Sequence, residues 1–494
     1  YDCNVRQWYL CWLNPFAPTD ADALTARDQN GYGELRILSY DEAGSVKWIS
    51  RDEQKNRFKA YDYYRYDYTI AAGESATIRF VLRKDSTKGA KNYTDALCEM
   101  TAFWQNIQKQ VRLLPNAEGK LTENMFRQNI TVMLQMLQRY ENSVDPDMIF
   151  ARQGDVGRFI WIWEAVHFLT LLDRVGLSAY VTDAYRMFFK LWQKQDGDEK
   201  GRLDNPYGRW DNTNGACLAG LSYHLMCVND PALFAEFHDK MNLALAYIQY
   251  RRSLSGEKDV KGLFSSGQAS DWGEIGQHWT YTDAVNAYGI GLMAKCFVHF
   301  DAPDANKIHE IYTEYHNILL DVQDKFAKEH HGEHAYNMPH ILGVPFEDSY
   351  NHCFYTDGAP YLLLLDIMDP HSELFEQMEN FYREIGFLDD EHGLAGIMTN
   401  DACGADGMYG HIYYTGVPEV CWIHAWMERG ETEKADKYAN GILRYNVTPE
   451  FMVSERYSSV DPLFTPWQPN ASGAGRLDHF LLDYYGERSV DEAE

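Results

Sequence analysis

Hydrophobic and polar positions follow two rhythms along the chain. Up to about residue 85 they alternate in short runs. "YDYTI" (66–70) and "ATIRFVL" (76–82) flank the turn-forming "AAGES", and "RQWYLCWL" and "ELRILSY" also read as extended. The pattern predicts the closing part of a β-sandwich over residues 1–88, with residues 66–82 as its last hairpin. "NYTDALCEMTAFWQNIQKQV" (92–111) then takes a helical period and predicts a linker helix within residues 89–115.

From about residue 121 the rhythm is helical almost throughout. Twelve segments carry it: roughly 121–140, 158–175, 178–195, 213–228, 231–252, 278–299, 304–328, 356–368, 371–386, 415–429, 431–445 and 471–485. Their connections alternate in length. Short turns, "VGLS", "VNDP", "DAPDA", "MDPHS" and "RGET", follow every second helix, and long loops of about 15 to 30 residues follow the others. Six antiparallel hairpins closed into a ring satisfy this alternation. The expected fold is therefore mainly α, an (α/α)6 barrel over residues 116–494. Its long loops would gather at one end as a cup, each leading into an inner helix. An open solenoid is the rival, but no sequence register repeats at a fixed period.

The long loops hold the chemistry. "ARQGDVGRFIWIWEAV" supplies Trp161, Trp163 and Glu164, and "DGDEKGRLDNPYGRWDNTNG" supplies Arg209, Trp210 and Asp211. "LFSSGQASDWGEIGQHWTYTDA" carries Asp271, Trp272, Glu274 and Asp283. "SERYSSVDPLFTPWQPNASGAGR" carries Glu455, Tyr457 and Trp467 before a run of small residues. Trp161 and Trp163 stand two apart on a helix, so only one of them is expected to face the cup.

Composition narrows the chemistry. With 45 Lys plus Arg against 73 Asp plus Glu, the net charge is −28. That disfavours nucleic acid and anionic membrane surfaces as partners. No apolar run is long enough to insert into a membrane; "FIWIWEAVHFLTLL" is broken by Glu164 and His167. Aromatic residues make up 14%, many in loops, where flat rings suit the apolar faces of sugars. The nine cysteines form no CxxC pair, so a zinc ribbon or disulfide framework is not expected. His330, His331 and His334 lack ligand spacing, and neither a metal nor another cofactor is expected. The chain opens at Tyr1 in mid-pattern, as a processed or excised form would, which leaves the compartment open with a lean towards the periplasm or the exterior.

Two carboxyls on opposite walls of a cup suit cleavage of a glycosidic bond: one protonates the leaving oxygen, the other activates water. Here the chain resembles the six-hairpin glycosidases, most of all the inverting glucoamylase-like branch with an N-terminal β-sandwich. "AAGESATIRFVL" resembles that branch's last sandwich hairpin. "SERYSS…WQPNASGAGR" resembles the segment that carries its Glu base, and "SDWGEIGQHWTYTDA" its acid-bearing loop. The resemblance implies Glu455 as general base and an oligo- or polysaccharide substrate. Aligned on Trp272, the acid position falls on Gly273, so the proton donor is left between Asp271 and Glu274. Asp283 is an outside candidate, by resemblance to debranching-enzyme relatives. The branch's Trp-x-Arg-Asp motif is missing, and Glu164 stands near its place. Trp272, Trp467, Tyr457, Trp163, Glu164, Arg209, Trp210 and Asp211 are the expected sugar-binding residues. The expected activity is an inverting, exo-acting glycoside hydrolase. The rivals are a glycoside phosphorylase, a polysaccharide lyase using the "MYGHIYY" loop, and a non-catalytic sugar-binding protein.

Overall fold

In a computed structural model, the described residues are 8–10, 34–40, 44–49, 63–68, 72–75, 78–83, 93–111, 121–139, 149–154, 160–204, 210–254, 260–267, 276–329, 333–336, 338, 341–344, 358–398, 412–414, 417–461 and 468–487. The chain forms two units, Tyr1–Lys109 and Gln110–Glu494.

In the first unit five strands are described: β1 (Trp8–Leu10), β2 (Glu34–Tyr40), β3 (Gly44–Ile49), β4 (Tyr63–Tyr68) and β5 (Ile78–Arg83). They make two antiparallel sheets, ordered β1-β4-β3 and β2-β5. The hairpin expected over residues 66–82 does not form. Both edges of β4 are taken, by β1 and β3, so β5 pairs with β2 in the other sheet. Helix α1 (Tyr93–Gln110) follows, where the linker helix was expected.

The second unit opens with α2 (Leu121–Gln135) and the small hairpin of β6 (Leu137–Arg139) and β7 (Ile149–Ala151). Next come α3 (Ile162–Arg174), α4 (Thr182–Trp192), α5 (Thr213–Val228), α6 (Pro231–Ser253), α7 (Thr280–His299) and α8 (Ala305–Glu329). The barrel is completed by α9 (Tyr361–Leu364), α10 (Glu373–Glu384), α11 (Val417–Glu428), α12 (Thr432–Tyr445) and α13 (Ala471–Glu487). Five short strands lie between these last helices: β8 (Leu388–Asp389), β9 (Leu394–Ala395), β10 (Ile397–Met398), β11 (Ile412–Tyr414) and β12 (Arg456–Ser458).

Burial separates inner helices from outer ones. Along α5 and α7 most side chains are buried on every face up to the last turns, as for a helix enclosed by other helices. Outer helices such as α4 and α12 bury one face only. The inner helices α3, α5, α7, α9, α11 and α13 pack in succession, and α13 returns to α3, which closes the ring. The first outer helix, α2, packs on the last inner one: Asn129 Nδ2 donates to Asp478 Oδ1 at 2.7 Å, both groups buried.

The short turns share one device. After α3, α5, α7, α9 and α11 the chain enters the left-handed region, at Gly176, Asn229, Asp301, Asp366 and Gly430. A single residue of this kind ends a helix and reverses the chain within a few residues. The next helix is then capped where the sequence allows it: Asp230 accepts from Ala232 N ahead of Pro231, and Ser372 accepts from Phe375 N. All five short turns therefore lie at the C-terminal ends of the inner helices. Their N-terminal ends, fed by the long loops, lie at the other end.

Small residues set the tightest seams. A β-carbon on Gly289 would stand 2.1 Å from the Gly215 carbonyl oxygen, where α7 meets α5. One on Gly475 would stand 2.7 Å from the Phe168 Cα, where α13 meets α3. The "ASGAG" run at the start of α13 is thus explained by helix packing.

Candidate active site

The loop end is built from clasps between neighbouring loops. Gly154 bridges to Asn470, and Ala471 N donates to the Gln153 carbonyl, so the first long loop lies against the sixth. Asn470 also caps α13, its Oδ1 accepting from Gly473 N at 2.6 Å. Trp279 bridges to Ile341, joining the third loop to the fourth. The fifth and sixth join as an antiparallel sheet, β10-β11-β12, with Tyr413 opposite Tyr457.

Glu455 immediately precedes β12. Its side chain keeps 16% of its surface exposed, with Arg456 Nη2 at 3.7 Å from Oε1. Tyr457, expected to face the sugar, is fully buried. Its ring stacks on Tyr413 with centroids 5.6 Å apart, and its hydroxyl donates to Glu419 Oε1 at 2.5 Å. Tyr457 therefore anchors the strand that follows Glu455 and offers no face to a ligand. Tyr413 is buried beside it and donates to Asp389 Oδ2 at 2.6 Å, which closes that tyrosine of the "MYGHIYY" loop to lyase chemistry.

Glu164 and Asp211 also depart from expectation. Both are buried and held by arginine. Arg476 Nη2 donates to both oxygens of Glu164 at 2.9 Å, and the Ser472 hydroxyl donates to Oε2. The group ties α3 to α13. Arg251 Nη1 donates to Asp211 Oδ1 at 3.1 Å while its Nε reaches Ser265 Oγ at 2.7 Å. That ties the second loop to the third. A charge buried in this way is committed to its partner. These two acids hold the cup together and do not reach into it as sugar ligands.

Trp163 is buried among Tyr281 and Tyr361, at ring distances of 6.4 and 6.0 Å, and so forms no open sugar platform. Trp161, two residues earlier, stays partly exposed and stacks on the partly exposed Trp210 at 6.0 Å. This pair, at the entries to α3 and α5, presents aromatic surface at the loop end. Asp283 is enclosed, accepting from Phe264 N at 2.8 Å and from the Tyr315 hydroxyl at 2.6 Å, with His278 Nε2 at 3.0 Å. Arg209, Asp271, Trp272, Glu274 and Trp467 lie outside the described residues. Gly267 and Gln277, which flank the acid-bearing stretch, pair with each other.

One acid escaped the sequence reading. Glu419, in the first turn of α11, is fully buried, and burial pushes its carboxyl up to about 7. Its Oε1 accepts from Ala395 N and from Tyr457; its Oε2 has no partner among the described residues. The signal was a lone acid opening the otherwise apolar "VPEVCWIHAW". Among the described residues no cluster of His, Cys, Asp or Glu could hold a metal ion, and no helix is long and apolar enough to cross a membrane. His334 pairs with Glu384 at 2.7 Å.

No protein-family model and no curated protein matches the sequence. Solved structures do match the fold. A bacterial glucoamylase complexed with acarbose aligns over 92% of this chain and 72% of its own, with a TM-score of 0.60 at 12% identity. A metal-independent alpha mannosidase from Streptococcus pneumoniae, in a non-productive complex with alpha-1,6-mannobiose, aligns over 81% of this chain and 99% of its own, with a TM-score of 0.51 at 11% identity. A glucoamylase from Saccharomycopsis fibuligera aligns over 77% and 100%, with a TM-score of 0.50 at 11% identity. At such identities the likeness concerns architecture: the chain has the glucoamylase-like α-helical barrel fold.

Proposed function

We propose that this chain is a glycoside hydrolase, inverting and exo-acting, that removes a terminal sugar from an oligo- or polysaccharide. The observation that carries the reading is the placement of Glu455. Glu164 and Asp211 are buried and held by arginine, whereas the Glu455 side chain keeps 16% of its surface exposed. A base must reach the attacking water, and a side chain with exposed surface at the loop end meets that need.

Glu455 would take a proton from the attacking water, and Asp271 or Glu274 would protonate the leaving oxygen. An inverting pair leaves roughly 6.5–9.5 Å between its carboxyls for that water. Trp210, with Trp272, Trp467 and Arg209, would hold the sugar. The fold shared with glucoamylases and an alpha mannosidase supports the same class of substrate.

The test is sugar release from α- and β-linked gluco- and manno-oligosaccharides, with the product anomer followed by NMR. The wild type should release a sugar of inverted configuration. Glu455→Gln should stay folded and lose turnover by at least a hundredfold. Full activity in Glu455→Gln would place the base elsewhere.

A further inference from the structure

Below the loop end, the barrel is not filled. Trp163, Tyr281 and Tyr361 come from the first turns of three inner helices. Their rings pack within 4.9 to 6.4 Å of one another and are almost wholly buried. On the short-turn side of this layer lies a chamber of about 320 Å³. Its wall on α3 runs through Trp163, His167, Thr170 and Arg174, and its wall on α13 through Arg476, His479 and Asp483. These spacings of three and four follow the inward face of each helix through several turns. The chamber therefore follows the barrel axis. Arg174 and Asp483 form an ion pair at its outer end, with 28% and 40% of their side-chain surfaces exposed. The mouth thus opens among the short turns.

The lining has a definite chemistry. Its charges are answered: Arg174 by Asp483, and Arg476 by Glu164. Both histidines are held neutral. Burial and Arg476 lower His167, and burial and Arg174 bring His479 down to about 4. The network also fixes the His479 tautomer. The Thr170 hydroxyl donates to the Val166 carbonyl at 2.8 Å, so it accepts from His479 Nε2 at 3.1 Å. Nδ1 then accepts from Arg174 Nη1 at 3.3 Å. At the inner end, Trp163 Nε1 and His167 Nε2 are buried without a partner among the described residues. Buried polar atoms of this kind call for a missing partner. Tyr223 and Tyr288 add hydroxyls, and Leu292, Leu364 and Leu365 add apolar wall.

We propose that the axial chamber is a second ligand site, for a neutral polyhydroxylated ring of monosaccharide size, entered from the short-turn end. Its volume lies at the lower end of the roughly 300–1,000 Å³ in which proteins hold small molecules. Paired charges leave no counter-charge for an ion. Hydroxyls and neutral imidazoles set among apolar walls match a ring with a polar rim and apolar faces. The inference does not rest on the activity assigned to the cup.

The probes are D-glucose and D-mannose, added to the full chain with 13C-labelled histidine rings. The His167 and His479 signals are assigned from His167→Gln and His479→Gln. A saturable shift of both signals is expected. It should weaken at least tenfold in Leu292→Trp, which fills the chamber, while oligosaccharide turnover is retained. Thr170→Met is the second filling variant should Leu292→Trp not fold. The proposal falls if neither sugar moves the two signals at any attainable concentration, which would leave the chamber to water. It also falls if the shift persists in the filled variants. A cup without hydrolase activity would not affect either outcome.

Discussion

Glu419→Gln separates the cost of a buried acid from the support it gives. Burial carries the Glu419 carboxyl from an ordinary 4.5 to about 7. The folded chain therefore keeps the proton across a range in which the unfolded chain has lost it. A group raised in this way lowers stability as pH climbs from its unfolded to its folded value, and the loss is constant above that. At 1.36 kcal/mol for each factor of ten, the full loss is about 3 kcal/mol, of which roughly 2.5 kcal/mol falls between pH 5 and pH 8. Glutamine keeps an oxygen to accept from Ala395 N and from Tyr457 but cannot ionise. Denaturant unfolding at both pH values, followed by tryptophan fluorescence on the full chain, gives the comparison. Other titrating groups, such as the buried Asp478, are common to both proteins and cancel in the difference. Glu419→Gln should gain about 2–3 kcal/mol on the wild type in going from pH 5 to pH 8. Tyr457→Phe should push the fall to higher pH, because the Tyr457 hydroxyl bond holds the Glu419 value down. Equal pH dependence in wild type and Glu419→Gln would refute the reasoning.

Three other outcomes test the architecture. Gly475→Val should force α13 away from Phe168 and cost about 1–3 kcal/mol, read as a lower thermal midpoint. Arg251→Met should leave Asp211 buried without its guanidinium and cost about 3–5 kcal/mol in the same assay, with Asp211→Asn in the same chain recovering part of the loss. Trp210→Ala should raise KM for oligosaccharides several-fold and leave the melting curve close to wild type, since Trp210 stacks on Trp161 with part of its surface open.

The helical rhythm located every barrel helix because five of the six inner helices end at a left-handed residue and each short turn carries Gly, Asn, Asp or Pro. The pairing of loops was not legible. Whether an acid on a loop faces substrate or an arginine depends on contacts between distant segments. Arg476 reaches Glu164 across 312 residues, and Arg251 reaches Asp211 across 40. The two acids expected as sugar ligands are therefore buried against arginine, and Glu455 stands directly before β12. Tyr457 was misassigned for the same reason: its partner, Glu419, lies 38 residues away. The 66–82 hairpin failed because alternation marks strands and does not choose their partners.

The closure of the ring by α13 bears on how the protein is made. Synthesis runs from the N-terminus, and helical hairpins joined by short turns can form as they emerge. The ring cannot shut until residues 471–487 leave the ribosome, because α2 and α3 both wait for α13. Until then the Phe168 seam, the Glu164 carboxyl and Asn129 stay without their final neighbours. A nascent barrel therefore spends most of its translation as an open arc, whose two ends expose helix faces that the closed ring buries.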